Sequence, residues 1–443
     1  MFLPKPVLEC MQALERAGFQ AYAVGGCVRD ALLGQAPHDY DLCTDATPSQ
    51  ICDVFSGFPL VHSGEKHGTV GVVIKKSVYE ITTFRTEGGY QDSRHPDWVR
   101  FVPTVEEDLA RRDFTVNAMA YSPARGLVDP WGGKKDLREH VLRAVGDPST
   151  RFSEDTLRIL RGVRFAVRFS LMPDTETEKA MFRLAPQMDN LARERVFEEL
   201  CKLLPLVKAE DLLHYSPVLT QVLPELAPSV GFLQHSPHHA YDVFTHTAHV
   251  VEAVPPDLVL RWAALLHDVA KPACFTQDAN GRGHFKGHAP EGAKMADAIL
   301  LRLKAPTALR QQVVFLIEHH MLPLEPDKRL LRRRLGKYGE DTLRKLLTLQ
   351  RADFSSKGTG NAQDETIFAE TEQLLNAVLQ EDACFSIKDL AINGNDLMAL
   401  GYVPGKNIGT CLEYLLQQVQ DELLPNQKEA LLCAASRLKE DSL

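Results

Sequence analysis

The sequence is short of three things. No apolar run approaches the roughly 20 residues that cross a bilayer, and MFLPKPVLECMQALERAGF at the N-terminus has the spacing of an amphipathic helix rather than a secretory leader. A cytoplasmic protein with no membrane partner is expected. The nine cysteines form no CxxC pair and are odd in number, which argues against a disulfide framework or a zinc ribbon and for reduced, mostly buried thiols. Positive charge is also scarce: 50 Lys+Arg against 59 Asp+Glu leave a formal charge of -9. Averaged over the chain, that balance disfavours a nucleic-acid partner.

What is present is 443 residues, 44% hydrophobic and 25% charged, too many for one ordinary core, so two to four domains are expected. Residues 1–150 mix β-branched runs (FQAYAVGG, HDYDLCT, GTVGVVI, VYEITTFRT, RGLVDPWGG) with helical pieces and glycines, the pattern of an α+β or α/β domain on a small sheet. From Ser153 onward apolar residues recur at helical spacing, as at Leu157, Leu160, Val163 and Val167, and the remainder reads as all-helical. Pro/Gly/Ser-rich seams at 227–238 and 355–361 divide it. The expected segments are a sheet domain at 1–150 and helical domains at 151–226, 237–325 and 326–443.

Three features of the first segment suit a nucleoside triphosphate. In AVGGCVRDALLG a strand runs through Gly25-Gly26 into a helix; glycine permits close backbone approach, helix N–H groups attract phosphate, and Arg29 adds charge. In HDYDL, Asp39 and Asp41 would project from one face of a strand, a pairing of like charges that a hard cation such as Mg²⁺ relieves; solvated loop acids are the plain alternative. Glu80 in VYEITTFR could complete a two-metal site. In RRDFTVNAMA, Asp113 suits a helix start, but Arg111 and Arg112 before it oppose the helix dipole unless an anion is present.

GGCVRDALLG, DYDLCTDATP, YEITTFR, RRDFTVNAMA, DPWGGKKDL and EDTLRILRGVRFAVRF stand in the order found in the class II tRNA nucleotidyltransferase/poly(A) polymerase family, and residues 20–205 resemble it continuously. The resemblance implies a polymerase beta-like nucleotidyltransferase head followed by a helical neck and body. It implies that Gly26 and Arg29 meet the nucleotide's phosphates, that Asp39 and Asp41 hold Mg²⁺, and that Arg112, Asp113 and Asn117 serve ribose and phosphates. It further implies that Asp155 and Arg158 read the base of CTP or ATP, with Arg161 and Arg164 on the triphosphate. From the residues alone, Asp155 and Arg158 would be an ordinary i,i+3 ion pair, although residues 151–168 hold five arginines and two acids. Asp92-Ser93-Arg94-His95-Pro96 is similar to the flexible loop of members that add the terminal A. The implied activity is CCA addition to the tRNA 3′ end; a poly(A) polymerase of the same superfamily is the nearest rival.

A second set of patches is rich in histidine: His246 in VFTHTAHV, His267-Asp268 in ALLHDVAKP, His284 and His288 in GHFKGHAPEGA, and His319-His320 in LIEHHML. Histidines and an adjacent Asp on successive helices suit a divalent metal. The stretch resembles an HD domain, whose usual ligands are His, His-Asp and a later Asp. His246, His267 and Asp268 match the first three, while the last helix carries His319-His320, so His320, with His288, stands as the remaining candidate. A phosphohydrolase whose N-terminal part merely binds RNA is the rival from another class. Lastly, KRLLRRRLGK at 328–337 has six basic and no acidic residues and is a candidate phosphate-contacting patch, as are Gly405, Lys406 and Gly409 in GYVPGKNIG. Oligomeric state is not legible.

Overall fold

The β-branched runs of the first 130 residues become strands: β1 (Ala21–Val24), β2 (Asp41–Thr44), β3 (Leu60–Val61), β4 (Thr69–Ile74), β5 (Ser77–Thr83), β6 (Arg85–Gly88), β7 (Trp98–Phe101), β8 (Ala120–Ser122) and β9 (Gly126–Val128). Seven of them form one sheet in the order β3-β4-β5-β2-β1-β8-β9, and β6 with β7 forms a separate ribbon. Within the seven-stranded sheet β2 and β5 run parallel and every other neighbouring pair is antiparallel. The register sets two acids side by side: Val24 stands opposite Asp41 and Leu42 opposite Ile81, so Asp41 and Glu80 each precede that last pair by one residue. Tyr22, Val24 and Cys43 pack with Phe84, Val105 and Leu109 in the core beneath.

A computed structural model, the structure describes residues 1–88, 98–237, 239–359, 362–381 and 385–440. The chain divides into two units, Met1–Val207 with His214–Pro224 and Lys208–Leu213 with Glu225–Leu443. In the first unit the sheet is followed by the helices Pro148–Glu154 and Leu157–Phe169. Asp155 between them is extended, with φ -147° and ψ 101°, so the arginine-rich run is two helices and not one. The second helix buries Leu157, Leu160 and Val163 and sets Phe165 edge-on to Phe114, with ring centroids 5.8 Å apart. Gly162 allows that approach, because a Cβ there would stand 3.0 Å from the Phe114 ring.

The second unit is helical, as its periodicity predicts, with strand pieces of two residues only among the described residues. Asp242 and Asp257 cap the helices Val243–Ala253 and Leu258–Leu266 by accepting from backbone N–H groups of the first turn. Trp262 is fully buried. The helices His288–Arg302, Thr307–His319 and Glu340–Ser355 carry or flank the remaining histidines. Near the C-terminus Leu397, Leu412, Leu415 and Leu431 form a separate small core. Eight of the nine cysteines lie among the described residues, and these are free thiols.

Candidate active site and a histidine-rich centre

The sheet register brings the three expected acids to one neighbourhood. Asp41 opens β2, and Asp39 sits two residues earlier in irregular backbone, not in a strand as expected; both are exposed, as is Glu80 on the adjacent β5. Desolvation by the surrounding protein raises the Asp41 carboxyl above its ordinary value, Arg112 pulls it down, and Asp39 pushes it up again. Adjoining carboxylates with that mutual repulsion are a donor set suited to a hard divalent cation.

Beside the acids, four of the expected nucleotide-binding residues form one continuous network. Arg29 Nη1 donates to Asn117 Oδ1 at 2.5 Å, Asn117 Nδ2 donates to Asp113 Oδ1 at 3.0 Å, and Arg161 donates through Nε and Nη2 to Asp113 Oδ2 at 2.9 and 2.7 Å. Burial works against the charge on Asp113, yet Arg161 and Asn117 hold its carboxyl well below the usual range. Arg29 is buried, paired with Asp30 at 2.6 Å and lying 4.2 Å from the Phe169 ring centroid. Arg112 lies over the Gly25 turn. A Cβ at Gly25 would come within 2.7 Å of Arg112 Nη1, and its φ of +76° is itself glycine territory, whereas a Cβ at Gly26 would make only an ordinary 3.5 Å contact with Arg29. The steric demand for glycine therefore falls on Gly25 rather than on Gly26.

Asp155 and Arg158 are not the helix-surface pair their spacing predicts, because the helix breaks at Asp155. Asp155 Oδ1 accepts from the Leu157 N–H at 3.1 Å and Oδ2 from Arg195 Nη2 at 2.9 Å. Arg158 instead donates to Glu154 Oε2 at 2.6 Å and to the carbonyls of Arg151 and Arg111. The excess of arginine over acid in 151–168 also has an internal explanation. Arg151 and Arg158 share Glu154, Arg161 takes Asp113, and Arg164 takes Glu199 at 2.5 Å; two of these acids lie outside the run. The expected loop at Asp92–Pro96 lies outside the described residues.

In the helical unit His246, His267, Asp268, His288 and His320 are all buried and fall into two adjoining groups, His246–His267–Asp268 and Asp268–His288–His320. A further acid joins them that sequence reasoning missed. Asp353, from the helix Glu340–Ser355, places Oδ1 2.9 Å from His246 Nε2 and 3.9 Å from His267 Nε2. It lies 85 residues beyond Asp268, in a stretch (RADFSS) with no motif to flag it. Burial disfavours charge on His267, but Asp268 raises its pKa overall, while burial takes His320 down to about 4. His319 points elsewhere, stacked on Phe315 with centroids 4.1 Å apart.

Three of the six basic residues at 328–337 are paired with acids within the fold. Lys328 and Arg332 each bridge Glu381 and Glu422 at 2.7–3.1 Å, and Arg333 pairs with Asp421. Gly405 caps the helix that begins at Lys406.

Residues 21–143 match the family model of the poly A polymerase head domain, and residues 291–435 match that of tRNA nucleotidyltransferase domain 2. Sheet, acids and head-domain match together define a nucleotidyltransferase. A CCA-adding enzyme of Levilactobacillus brevis is 34% identical over 98% of this chain and 97% of its own, and the chain belongs to the CCA-adding family of tRNA nucleotidyltransferases. A CCA-adding enzyme of Limosilactobacillus reuteri is 46% identical over 45% of this chain, a match that spans about half (49%) of that relative. The crystal structure of the Bacillus stearothermophilus CCA-adding enzyme in complex with CTP shares the fold, with a TM-score of 0.71 at 26% identity covering 100% of both chains. No helix among the described residues is long and apolar enough to cross a membrane.

Proposed function

We propose that the protein builds or repairs the CCA terminus of tRNA from CTP and ATP without a nucleic-acid template, releasing pyrophosphate, and does so in the cytoplasm where its tRNA substrate is used. The whole-length kinship with a CCA-adding enzyme carries the reading, and the network joining Arg29, Asn117, Asp113 and Arg161 beside the exposed acids supports it.

Asp39 and Asp41 would hold Mg²⁺, with Glu80 adjacent, and the metal would supply positive charge that acidifies the tRNA 3′-hydroxyl and offsets the triphosphate. The chain's own residues do the positioning. Arg112, kept over the glycine turn, faces the acids and can take a phosphate oxygen; Asp113 can accept from a ribose hydroxyl; Gly26, Arg29, Asn117, Arg161 and Arg164 shape and charge the pocket around them. Asp155 and Arg158 present a carboxylate and a guanidinium, complementary to the donors and acceptors on a base edge, once their present partners Arg195 and Glu154 give way. Extension of tRNA lacking its CCA, with CTP alone, ATP alone and both, tests this. Two C residues with CTP and a single A only after them are expected; long A tails on unstructured RNA would instead indicate a poly(A) polymerase.

A further inference from the structure

Read from sequence, Arg111 and Arg112 stand at a helix start, where the dipole opposes them. In the structure they instead follow the helix Val105–Ala110, with Arg111 as its C-cap, so the dipole favours them without any anion. The same helix supplies their counter-charge, the buried Asp108. Asp108 Oδ1 accepts from Arg111 Nε at 3.0 Å and, at 3.2 Å, from the N–H of Arg85 at the root of the β6–β7 ribbon. Oδ2 makes no hydrogen bond among the described residues and faces Arg112 Nη2 at 3.5 Å. Burial works against this carboxylate, and Arg111 and Arg112 nevertheless hold its pKa below the usual range.

Two acids thus compete for Arg112. One is Asp108; the other is Asp41, whose carboxyl Arg112 pulls down. A guanidinium paired with Asp41 is withdrawn from phosphate, and the Asp108 charge offsets that pull. On the reading of this site as a nucleotidyltransferase pocket, we propose that Asp108 is a positioning residue for the incoming nucleotide: it holds Arg112 off Asp41 and over the Gly25 turn, where the guanidinium can take a phosphate oxygen. Asp108 acts through Arg112 and not on the substrate.

The sign of the effect separates positioning from simple charge. An Asn at 108 has one acceptor oxygen. With that oxygen kept on the Arg85 N–H and Arg111, its amide NH2 takes the place of Oδ2 and meets Arg112 Nη2 donor to donor, so Arg112 turns to Asp41. A purely electrostatic role predicts the opposite, because deleting a negative charge tightens a triphosphate. Arg158 and Arg151 donate to the main-chain carbonyls of Arg111 and Ala110, contacts that do not involve the Asp108 side chain, so CTP and ATP should be affected alike.

The test is equilibrium binding of CTP and ATP to the full chain in buffer with chelator, as a double-mutant cycle with Arg112. Asp108→Asn should weaken both nucleotides about tenfold, within the coupling expected of neighbours in one ion-pair network. In an Arg112→Ala chain, Asp108→Asn should change neither affinity, although it still lowers the urea midpoint. Unchanged or tighter binding in folded Asp108→Asn overturns the proposal, and so does a loss that persists without Arg112. Should Asp108→Asn not fold, Asp108→Glu, with its charge displaced by one methylene, carries the same cycle. Product identity does not enter this measurement, so a chain that makes A tails would fail the extension assay and leave the cycle readable.

Discussion

Arg161 donates through both Nε and Nη2, at 2.9 and 2.7 Å, to a single oxygen of Asp113, 48 residues earlier in the chain. The pair fastens the arginine-rich helix Leu157–Phe169 to the turn that carries Asn117. Asp113→Ala would leave Arg161 and Asn117 without their shared acceptor and should cost about 3 kcal/mol, read as a lower urea midpoint.

The same carboxyl makes a pH prediction. Its folded pKa is depressed, so its contribution is fully present above the unfolded value of about 4 and is lost as pH falls through and below it. The stability gap between wild type and Asp113→Asn should be flat from pH 7 to about 5 and close below about 4. A gap that widens on acidification would contradict the assignment.

Asp39→Asn and Asp41→Asn should each slow nucleotide addition about a thousandfold, since the metal they would hold is worth several kcal/mol of barrier. The thermal midpoint should barely move, because both side chains are exposed. Single-turnover extension of a tRNA lacking CCA provides the rate.

Gly133 has no room for a side chain: a Cβ would stand 2.1 Å from the carbonyl oxygen of Thr115, in the 3-10 turn Thr115–Asn117. Gly133→Ala should destabilise by about 1–3 kcal/mol or more and, by displacing Asn117, should also reduce nucleotide addition. Differential scanning calorimetry and the extension assay measure the two effects.

Arg332 is a buried member of an ion-pair cluster. Arg332→Ala should lower the urea midpoint yet leave the slope of log tRNA affinity against log salt unchanged, where a lost phosphate contact would shift it by about 0.9.

Much of the head is legible in the sequence. The runs around Ala21, Asp41, Thr69 and Val78 read as strands because β-branched alternation is a local signal, and the acid, glycine and arginine motifs stand out by residue type and order. What escapes is anything decided by tertiary partners. Asp155 and Arg158 have helical spacing, but Arg195 and the Leu157 N–H draw Asp155 out of the helix. The arginine surplus and the basic run at 328–337 look like places for phosphate because their acidic partners, Asp113, Glu199, Glu381 and Glu422, lie up to 94 residues away. Asp353 escapes for the same reason: a lone acid in an amphipathic helix has no local mark.

The histidine centre is oriented by two different means. His267, His288 and His320 each fix their ring against a carbonyl three residues earlier, a contact available as soon as that turn of backbone exists. His246 takes its carbonyl from Ser356, and Asp353 comes from the same distant segment. The two halves of the centre thus depend on different stretches of chain: the one with His288 and His320 is aimed by local turns, whereas the one with His246 takes both its carbonyl and its acid from the segment ending at Ser356.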